Sequence, residues 1–151
     1  FVNNLLTVDA IPQSQLQGMD EDNPYMGKGH ESGDLNEQEQ RLLEACEGQV
    51  MLFRLRGPLS FGAAKGISAR MGLISNFKVL VLDITEVPRI GVTAALAMER
   101  MVEEAESLGR VALVAGANER LHERLSKFGI RQIVTKRIQA LEIAYEQLSH
   151  T

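Results

Sequence analysis

The 151-residue chain has no tryptophan, two tyrosines and five phenylalanines, so its core must be built from aliphatic side chains. Its single cysteine, Cys46, excludes an intramolecular disulfide framework and favours a reducing compartment. No apolar run approaches the roughly 20 residues that a membrane-spanning helix needs. With 44% hydrophobic and 24% charged residues, the composition is that of one globular domain with a buried core.

The chain begins at Phe1 without a methionine and without the basic and apolar regions of a signal peptide, so we expect a further segment upstream. Charge is distributed unevenly along it. Residues 1–45 carry nine acidic side chains against Lys28 and Arg41, a net charge of −7. Residues 46–151 carry 14 basic against 11 acidic side chains, a net charge of +3. An acidic leader therefore precedes a mildly basic body.

The leader has two predicted parts. Residues 10–40 are rich in Gln, Gly, Asn, Asp and Glu and have no apolar period, which predicts a flexible linker. Within residues 1–9, Leu5–Val8 is either a short strand or the frayed end of a preceding helix. The spacing of apolar residues from Leu35 to Cys46 predicts a helix that closes the linker onto the body. We thus divide the chain into residues 1–9, an acidic and mostly flexible linker at 10–45, and a folded domain at 46–151.

The body alternates predicted strands with predicted helices. The strands are Val50–Arg56, Lys78–Asp83, Arg110–Ala115 and Ile133–Val134. The middle two are continuous apolar runs, typical of central strands buried on both faces. In the first, Leu52, Arg54 and Arg56 alternate with apolar residues, so we expect one face of this strand to be more solvated.

Capping residues and glycines mark the predicted helices. They run from Ser60 to Ile74, over 92–108 before Gly109, from Asn118 to Gly129, and from Thr135 with a stripe of Ile138, Leu141, Tyr145 and Leu148. This β-α-β-α-β-α-β-α order predicts an α/β sandwich, a mainly parallel sheet with helices packed on it.

Gly57 to Gly62 follows a strand and precedes a helix, as a phosphate-binding loop does. That loop requires Lys and Ser or Thr after its second glycine, where this chain has Ala63 and Ala64, and Lys65 comes two residues late. Nucleotide catalysis is disfavoured. A nucleotide-binding regulatory domain that uses the Gly57–Lys65 turn stays as an alternative.

Asp83 ends a central strand, at the edge where open α/β sheets bind ligands. A phosphoacceptor aspartate also needs an acidic pair after the first strand, which here ends in Arg54, Leu55 and Arg56. We therefore predict that Asp83 caps the adjacent turn with Thr85.

Three histidines, His30, His122 and His150, are scattered, and Cys46 is best interpreted as a small buried hydrophobic residue. Metal-ligand spacings such as C-x-x-C are absent from the sequence. We expect no catalytic residue, no metal and no cofactor. The isoelectric point near 5.4 and the lack of interleaved aromatics disfavour nucleic acid as a partner.

Basic residues gather around the third and fourth predicted helices: Arg120, Arg124, Lys127 and Arg131, followed by Lys136 and Arg137. They are either a surface for an anionic partner, such as lipid headgroups or an acidic protein, or an ordinary solvated helix face. Glu119 and Glu123 dilute the charge.

Three stretches together resemble the STAS family of sulfate transporters and anti-sigma-factor antagonists. They are VMLFRLRGPLSFGAA at 50–64, KVLVLDITEVPRIGVTAAL at 78–96 and RVALVAGANERLHERLSKFGI at 110–130. The resemblance covers about residues 48–149 and implies a STAS-type sandwich. In the soluble antagonists of the family a serine after an aspartate is phosphorylated. The corresponding positions here are Gly91 and Val92, and valine cannot accept phosphate.

The lost phosphate acceptor and the abrupt start favour the transporter branch, and within it the sequence is most similar to bacterial bicarbonate transporters. The resemblance implies a non-catalytic regulatory domain on the cytoplasmic face of the plasma membrane, a homodimer, and the membrane transport domain of the same chain as partner. A soluble antagonist-like interaction domain is the alternative. Our first choice for a regulatory or contact site is the loop with Val87, Pro88, Arg89, Gly91, Val92 and Thr93, since it follows a central strand. Thr93 at the helix start is expected to cap or to pack.

Overall fold

The computed structural model of the protein describes residues 5–9, 35–56, 62, 65–66, 68–69 and 76–150, with backbone only for 5–9 and 56. Along the chain the elements are β1 (Leu5–Asp9), α1 (Glu37–Ala45), β2 (Val50–Arg56), β3 (Val79–Glu86), α2 (Val92–Ser107), β4 (Val111–Ala115), α3 (Glu119–Lys127), β5 (Ile133–Val134) and α4 (Arg137–Ser149).

The five strands form one sheet in the order β1-β2-β3-β4-β5, and every neighbouring pair is parallel. The predicted α/β sandwich with a mainly parallel sheet is confirmed. Of the two alternatives for Leu5–Val8, the structure contains the strand, paired along its length with β2.

Helices cover both faces of the sheet. On one face, Phe53, Leu82 and Val114 pack with α2 and α3. On the other face, Leu52, Val81 and Leu113 pack with α1 and α4. The successive strand residues alternate between these two cores, as the pleat of a strand requires. Burying each such aliphatic side chain contributes about 1.5–3 kcal/mol relative to leaving it exposed.

Several predicted helix ends are present. Asn118 Oδ1 accepts a hydrogen bond of 2.8 Å from the Leu121 amide at the start of α3. Gly109 and Gly129 follow α2 and α3 with φ of 78° and 90°, the left-handed conformation in which glycine ends a helix without steric cost. At α1, Asn36 and Glu39 form a capping box, each side chain accepting from the other's backbone amide.

Two local predictions are wrong, and a third is wrong in part. The face of β2 that carries Leu52 and Arg54 is not solvated, since both are buried beneath the α1–α4 layer. Lys136, not Thr135, is the N-cap of α4, where the Lys136 amide donates to Gln139 Oε1. The stripe predicted for α4 is confirmed at Leu141, which is buried, and at Leu148, which packs against the core, but it is wrong at Tyr145, which is exposed. The buried face also carries Ala140 and Ala144. Small alanines let this helix lie close to the sheet, a signal that a search for large apolar residues overlooks.

The helix predicted from Ser60 to Ile74 falls mostly outside the described residues, although Gly62, Lys65 and Gly66 are helical. Most of the predicted linker, residues 10–34, also lies outside them. Among the described residues, no helix has both the length and the hydropathy to cross a membrane.

Candidate functional site

A cluster of buried charges lies at the carboxyl end of the central strands. Arg54 of β2 and Asp83 of β3 are partners in the parallel register, so their side chains project from the same face of the sheet. Both are buried, and Arg54 Nε lies 3.5 Å from Asp83 Oδ2. Arg54 Nη2 also donates to Glu86 Oε2 at 3.0 Å, which connects β2 to the half-exposed end of β3.

Arg137, the first residue of α4, brings a second guanidinium into this cluster. Its Nη1 donates to Asp83 Oδ2 at 2.8 Å. Its Nε and Nη2 donate to Glu39 Oε2 and Oε1, both at 3.1 Å, in the fork-to-fork geometry that suits a guanidinium and a carboxylate. One side chain therefore joins α1, β3 and α4.

Two opposing effects act on the pKa of Arg137. Burial would lower the pKa of Arg137, but its hydrogen bonds to Glu39 and Asp83 outweigh that effect and the pKa is raised. Arg54 lies beside Asp83, and Arg137 pairs with Glu39. In each pair the opposite charges compensate one another, which buried ions require. We call Glu39, Arg54, Asp83 and Arg137 the charge cluster.

Asp83 also has the turn role predicted for it. Its Oδ1 accepts from the backbone amide of Thr85 at 3.0 Å and from the Thr85 hydroxyl. The carboxylate is thus engaged on both oxygens, with Thr85 on one and Arg137 on the other. The sequence pattern identified the turn but not the two arginines, which are 29 and 54 positions away in the chain.

The predicted contact loop begins where β3 ends. Val87 is buried and its amide donates to the Ile84 carbonyl, whereas Pro88 and Arg89 are exposed. Gly91, Val92 and Thr93 are exposed as well. Val92 is 53% exposed, and Leu96, one helical turn further along α2, is 40% exposed. The loop and the first turn of α2 thus form one surface with an apolar centre.

Thr93 does not cap α2 and does not pack in the core. The N-cap is Gly91, which makes no side-chain capping hydrogen bond. Val92 is the first residue of α2. It occupies the position that corresponds to the phosphorylated serine of the soluble antagonists, and its side chain has no hydroxyl.

Of the six basic residues predicted around the third and fourth helices, the structure brings three together, while Arg137 lies in the charge cluster. Arg120, Arg124 and Lys127 line an open groove of about 330 Å³ along α3 with Glu123 and Phe128. Lys127 Nζ lies 3.6 Å from Glu123 Oε1 in an exposed pair. Arg131 is exposed but is not among the residues that line this groove.

The other candidates for chemistry stay apart. His122 is exposed on α3, with Nδ1 3.5 Å from Ser126 Oγ, and His150 is exposed after α4. Cys46 is buried at the end of α1, as predicted, and His30 lies outside the described residues. In the described part of the chain, no three His, Cys, Asp or Glu residues are placed to hold a metal ion.

Comparison with known proteins gives consistent results. A family model described as the STAS domain matches residues 44–143. The chain is 34% identical over 138 residues to the bicarbonate transporter BicA of Synechocystis sp., covering 89% of this chain and 23% of that protein. It is 35% identical over 127 residues to BicA of Picosynechococcus sp., covering 84% of this chain and 22% of that protein. The chain thus spans about a quarter of the length of these curated relatives.

Two solved structures share the fold. The STAS domain of a SulP transporter from Vibrio cholerae matches with a TM-score of 0.65 and 26% identity, covering 77% of this chain and 100% of that one. A sulfate transporter family protein from Wolinella succinogenes matches with a TM-score of 0.61 and 26% identity, covering 69% of this chain and 90% of that one.

Proposed function

The chain belongs to the STAS domain family, and from that premise we propose that it is the C-terminal cytosolic domain of a SulP-type anion transporter, which it helps to assemble and regulate. The observation that carries this proposal is the 34% identity to BicA over 89% of the chain. Since the chain covers only 23% of that relative, the transport domain would be supplied by the rest of a longer protein. We propose this transport domain as the first partner of the STAS domain, which would lie at the cytoplasmic face of the plasma membrane.

Bicarbonate is the anion that we propose for the whole transporter, because both BicA relatives are named for it. Sodium-dependent uptake of labelled bicarbonate by the full-length protein in vesicles tests this choice. The choice would be contradicted if sulfate inhibited this uptake as strongly as unlabelled bicarbonate does.

We propose that the domain itself performs no chemistry. The polar groups at the carboxyl end of its sheet are engaged with one another, since Asp83 is bound by both Thr85 and Arg137. A carboxylate held in this way offers no open oxygen to a metal ion or a phosphoryl group. The position that would carry a phosphorylated serine in a soluble antagonist has Val92.

The contact loop with the first turn of α2 is our candidate for the assembly surface, and a second copy of the domain is its proposed partner. Val92 and Leu96 are exposed one turn apart, and Pro88 and Arg89 border them. Apolar residues flanked by polar ones are typical of the centre of a protein–protein contact, where an arginine at the edge gives specificity.

Light scattering over a concentration series tests the assembly role. We expect the chain to form a dimer, and Val92→Asp with Arg89→Glu to shift it toward monomer at every concentration. Leu108→Asp is the matched control, because Leu108 is a 61% exposed apolar residue beyond the other end of α2. A dimer that survives the loop variants, or is lost equally in the control, would contradict this surface.

Calorimetry with ATP and GDP separates the proposal from a nucleotide-binding regulatory domain. We expect flat titrations. Saturable heat that disappears in Lys65→Ala would instead favour the Gly57–Lys65 turn as a nucleotide site.

A further inference from the structure

We propose that the charge cluster is a conformational latch that couples the docking of α1 to the contact loop. The cluster connects three segments that are far apart in sequence: Glu39 and Arg137 are separated by 98 positions, and Asp83 and Arg137 by 54. This inference deepens the proposed regulatory function and rests on it for its biological purpose, while its test uses the chain alone.

The first step concerns α1, which is too short to be a stable helix without its contacts to the rest of the domain. It has nine residues, fewer than an isolated helix needs to be stable in water. It is therefore helical because it docks, through the buried side chains of Leu35 and Leu43 and through the Glu39–Arg137 pair. Short elements that depend on docking are those that open locally while the rest of a domain stays folded.

The second step is the cost of opening. Undocking α1 removes Glu39 from Arg137, whose guanidinium is mostly buried. Arg137 then keeps Asp83 as its carboxylate partner in the cluster. Buried ion pairs stabilise a fold little compared with apolar contacts, but they are sensitive to loss of one member because the charge left behind lacks its compensation. Undocking of α1 therefore changes the charge balance around Arg137 and Asp83.

The third step leads from Asp83 to the loop. Asp83 Oδ2 receives Arg137, and Asp83 Oδ1 holds the backbone and the hydroxyl of Thr85. Arg54, beside Asp83, donates to Glu86 at the last position of β3. Val87, the first residue of the contact loop, follows directly and is tied to Ile84 by a backbone hydrogen bond. A shift of Arg137 therefore changes the carboxylate on which the start of the loop is held.

The direction of regulation follows from the chain order. The acidic segment of residues 10–34 connects β1, which is held in the sheet by β2, to the start of α1. Because α1 is the short element that depends on docking, we expect a binding event on that segment to act on α1. The latch converts this event into a change at the loop, which is our proposed assembly surface.

Amide hydrogen exchange on the 151-residue chain tests the coupling, and Glu39→Gln is the central variant. Glutamine keeps the shape of the side chain and is accepted in a capping box, so the variant removes chiefly the charge that faces Arg137. We expect exchange to rise at least about fivefold both in α1 and at the two hydrogen-bonded amides where the loop starts, those of Thr85 and Val87. The amides of α3, outside the latch, are expected to keep their rates.

Glu37→Gln is the matched control. Glu37 lies in the same first turn of α1, is exposed, and pairs across the surface with Arg41 at 3.4 Å. We expect this variant to leave both regions unchanged. If Glu39→Gln accelerates α1 alone, or accelerates α3 as much as the loop, the coupling is refuted, because the cluster then serves as a local anchor or as general support.

Thr85→Val tests the latch from the opposite end and does not touch α1. It removes the hydroxyl bond to Asp83 with little change of volume. Because coupling between two sites is reciprocal, we expect exchange in α1 to rise. Unchanged exchange in α1 would overturn the proposal. Neither result bears on the dimer or on bicarbonate uptake, so the latch and the proposed function can fail separately.

Discussion

Gly116, the residue after β4, lies directly against Thr85, the residue that Asp83 holds at the end of β3. A Cβ at Gly116 would meet the Thr85 side chain and would come within 2.6 Å of its backbone nitrogen and 2.8 Å of its Cα. Gly116 also has a φ of 86°, which side chains other than that of glycine rarely adopt. Glycine thus allows the ends of two neighbouring strands to approach at the position that supports the contact loop.

Gly116→Ala is expected to lower the free energy of unfolding by roughly 2–4 kcal/mol. This figure adds the cost of placing alanine in the left-handed conformation to the cost of a clash with backbone atoms that cannot move aside. Urea titration followed by circular dichroism measures it. Gly129→Ala is the control, because its φ of 90° is nearly the same and nothing lies within 4 Å of its Cβ position. Equal losses in the two variants would mean that the approach to Thr85 contributes nothing.

Local signals in the sequence were enough to predict most of the elements. The apolar runs of β3 and β4 predict central strands because a parallel sheet is covered on both faces, and the structure covers both. Asn118, Gly109 and Gly129 mark helix ends through their own backbone chemistry, which does not depend on distant residues.

The charge cluster could not be predicted in this way. Arg54 indicated a solvated face, since an arginine in an alternating strand is usually exposed, but α1 and α4 cover it and Asp83 compensates it. Glu39 and Arg137 each belonged to a charged stretch with many similar residues. Only the tertiary approach of α1 to α4 distinguishes this pair from exposed ones such as Glu37 with Arg41.

Glu47 is the one non-glycine residue with positive φ, at 53°, in the part of the chain that the structure describes. Because this conformation costs an ordinary side chain about 1–2 kcal/mol and glycine loses about 0.5–1 kcal/mol in chain entropy, Glu47→Gly should stabilise the fold by up to about 1.5 kcal/mol. Thermal unfolding measures this gain. Glu47→Ala retains the Cβ and should give no gain. Equal stabilisation by both would trace the effect to the lost charge.

The groove along α3 should attract anionic membranes if it is more than a solvated helix face. Arg124→Glu with Lys127→Glu reverses two of its three cations, so we expect co-sedimentation with phosphatidylglycerol vesicles to fall at least about tenfold. Arg100→Glu with Lys78→Glu makes the same charge change at exposed residues elsewhere. Comparable losses in both pairs would show that net charge, not the groove, determines binding. Binding that persists in high salt would also contradict an electrostatic surface.

Cys46 links alkaline stability to the docking of α1, because this thiol lies buried at the end of that helix. Burial raises the pKa of Cys46 from 9.0 to about 11. Between these values the unfolded chain binds fewer protons than the folded one, so the free energy of unfolding contributed by this group is unchanged below pH 9.0 and falls as the pH rises toward 11.

We therefore expect urea titrations at about pH 8 and about pH 10.5 to show a larger loss of stability in the wild-type chain than in Cys46→Ala. Tyrosine and lysine ionise equally in both proteins, so the difference between the two losses isolates the thiol. Parallel losses would mean that the thiol ionises as readily in the folded state as in the unfolded one, and rapid alkylation of the native protein near neutral pH would lead to the same conclusion.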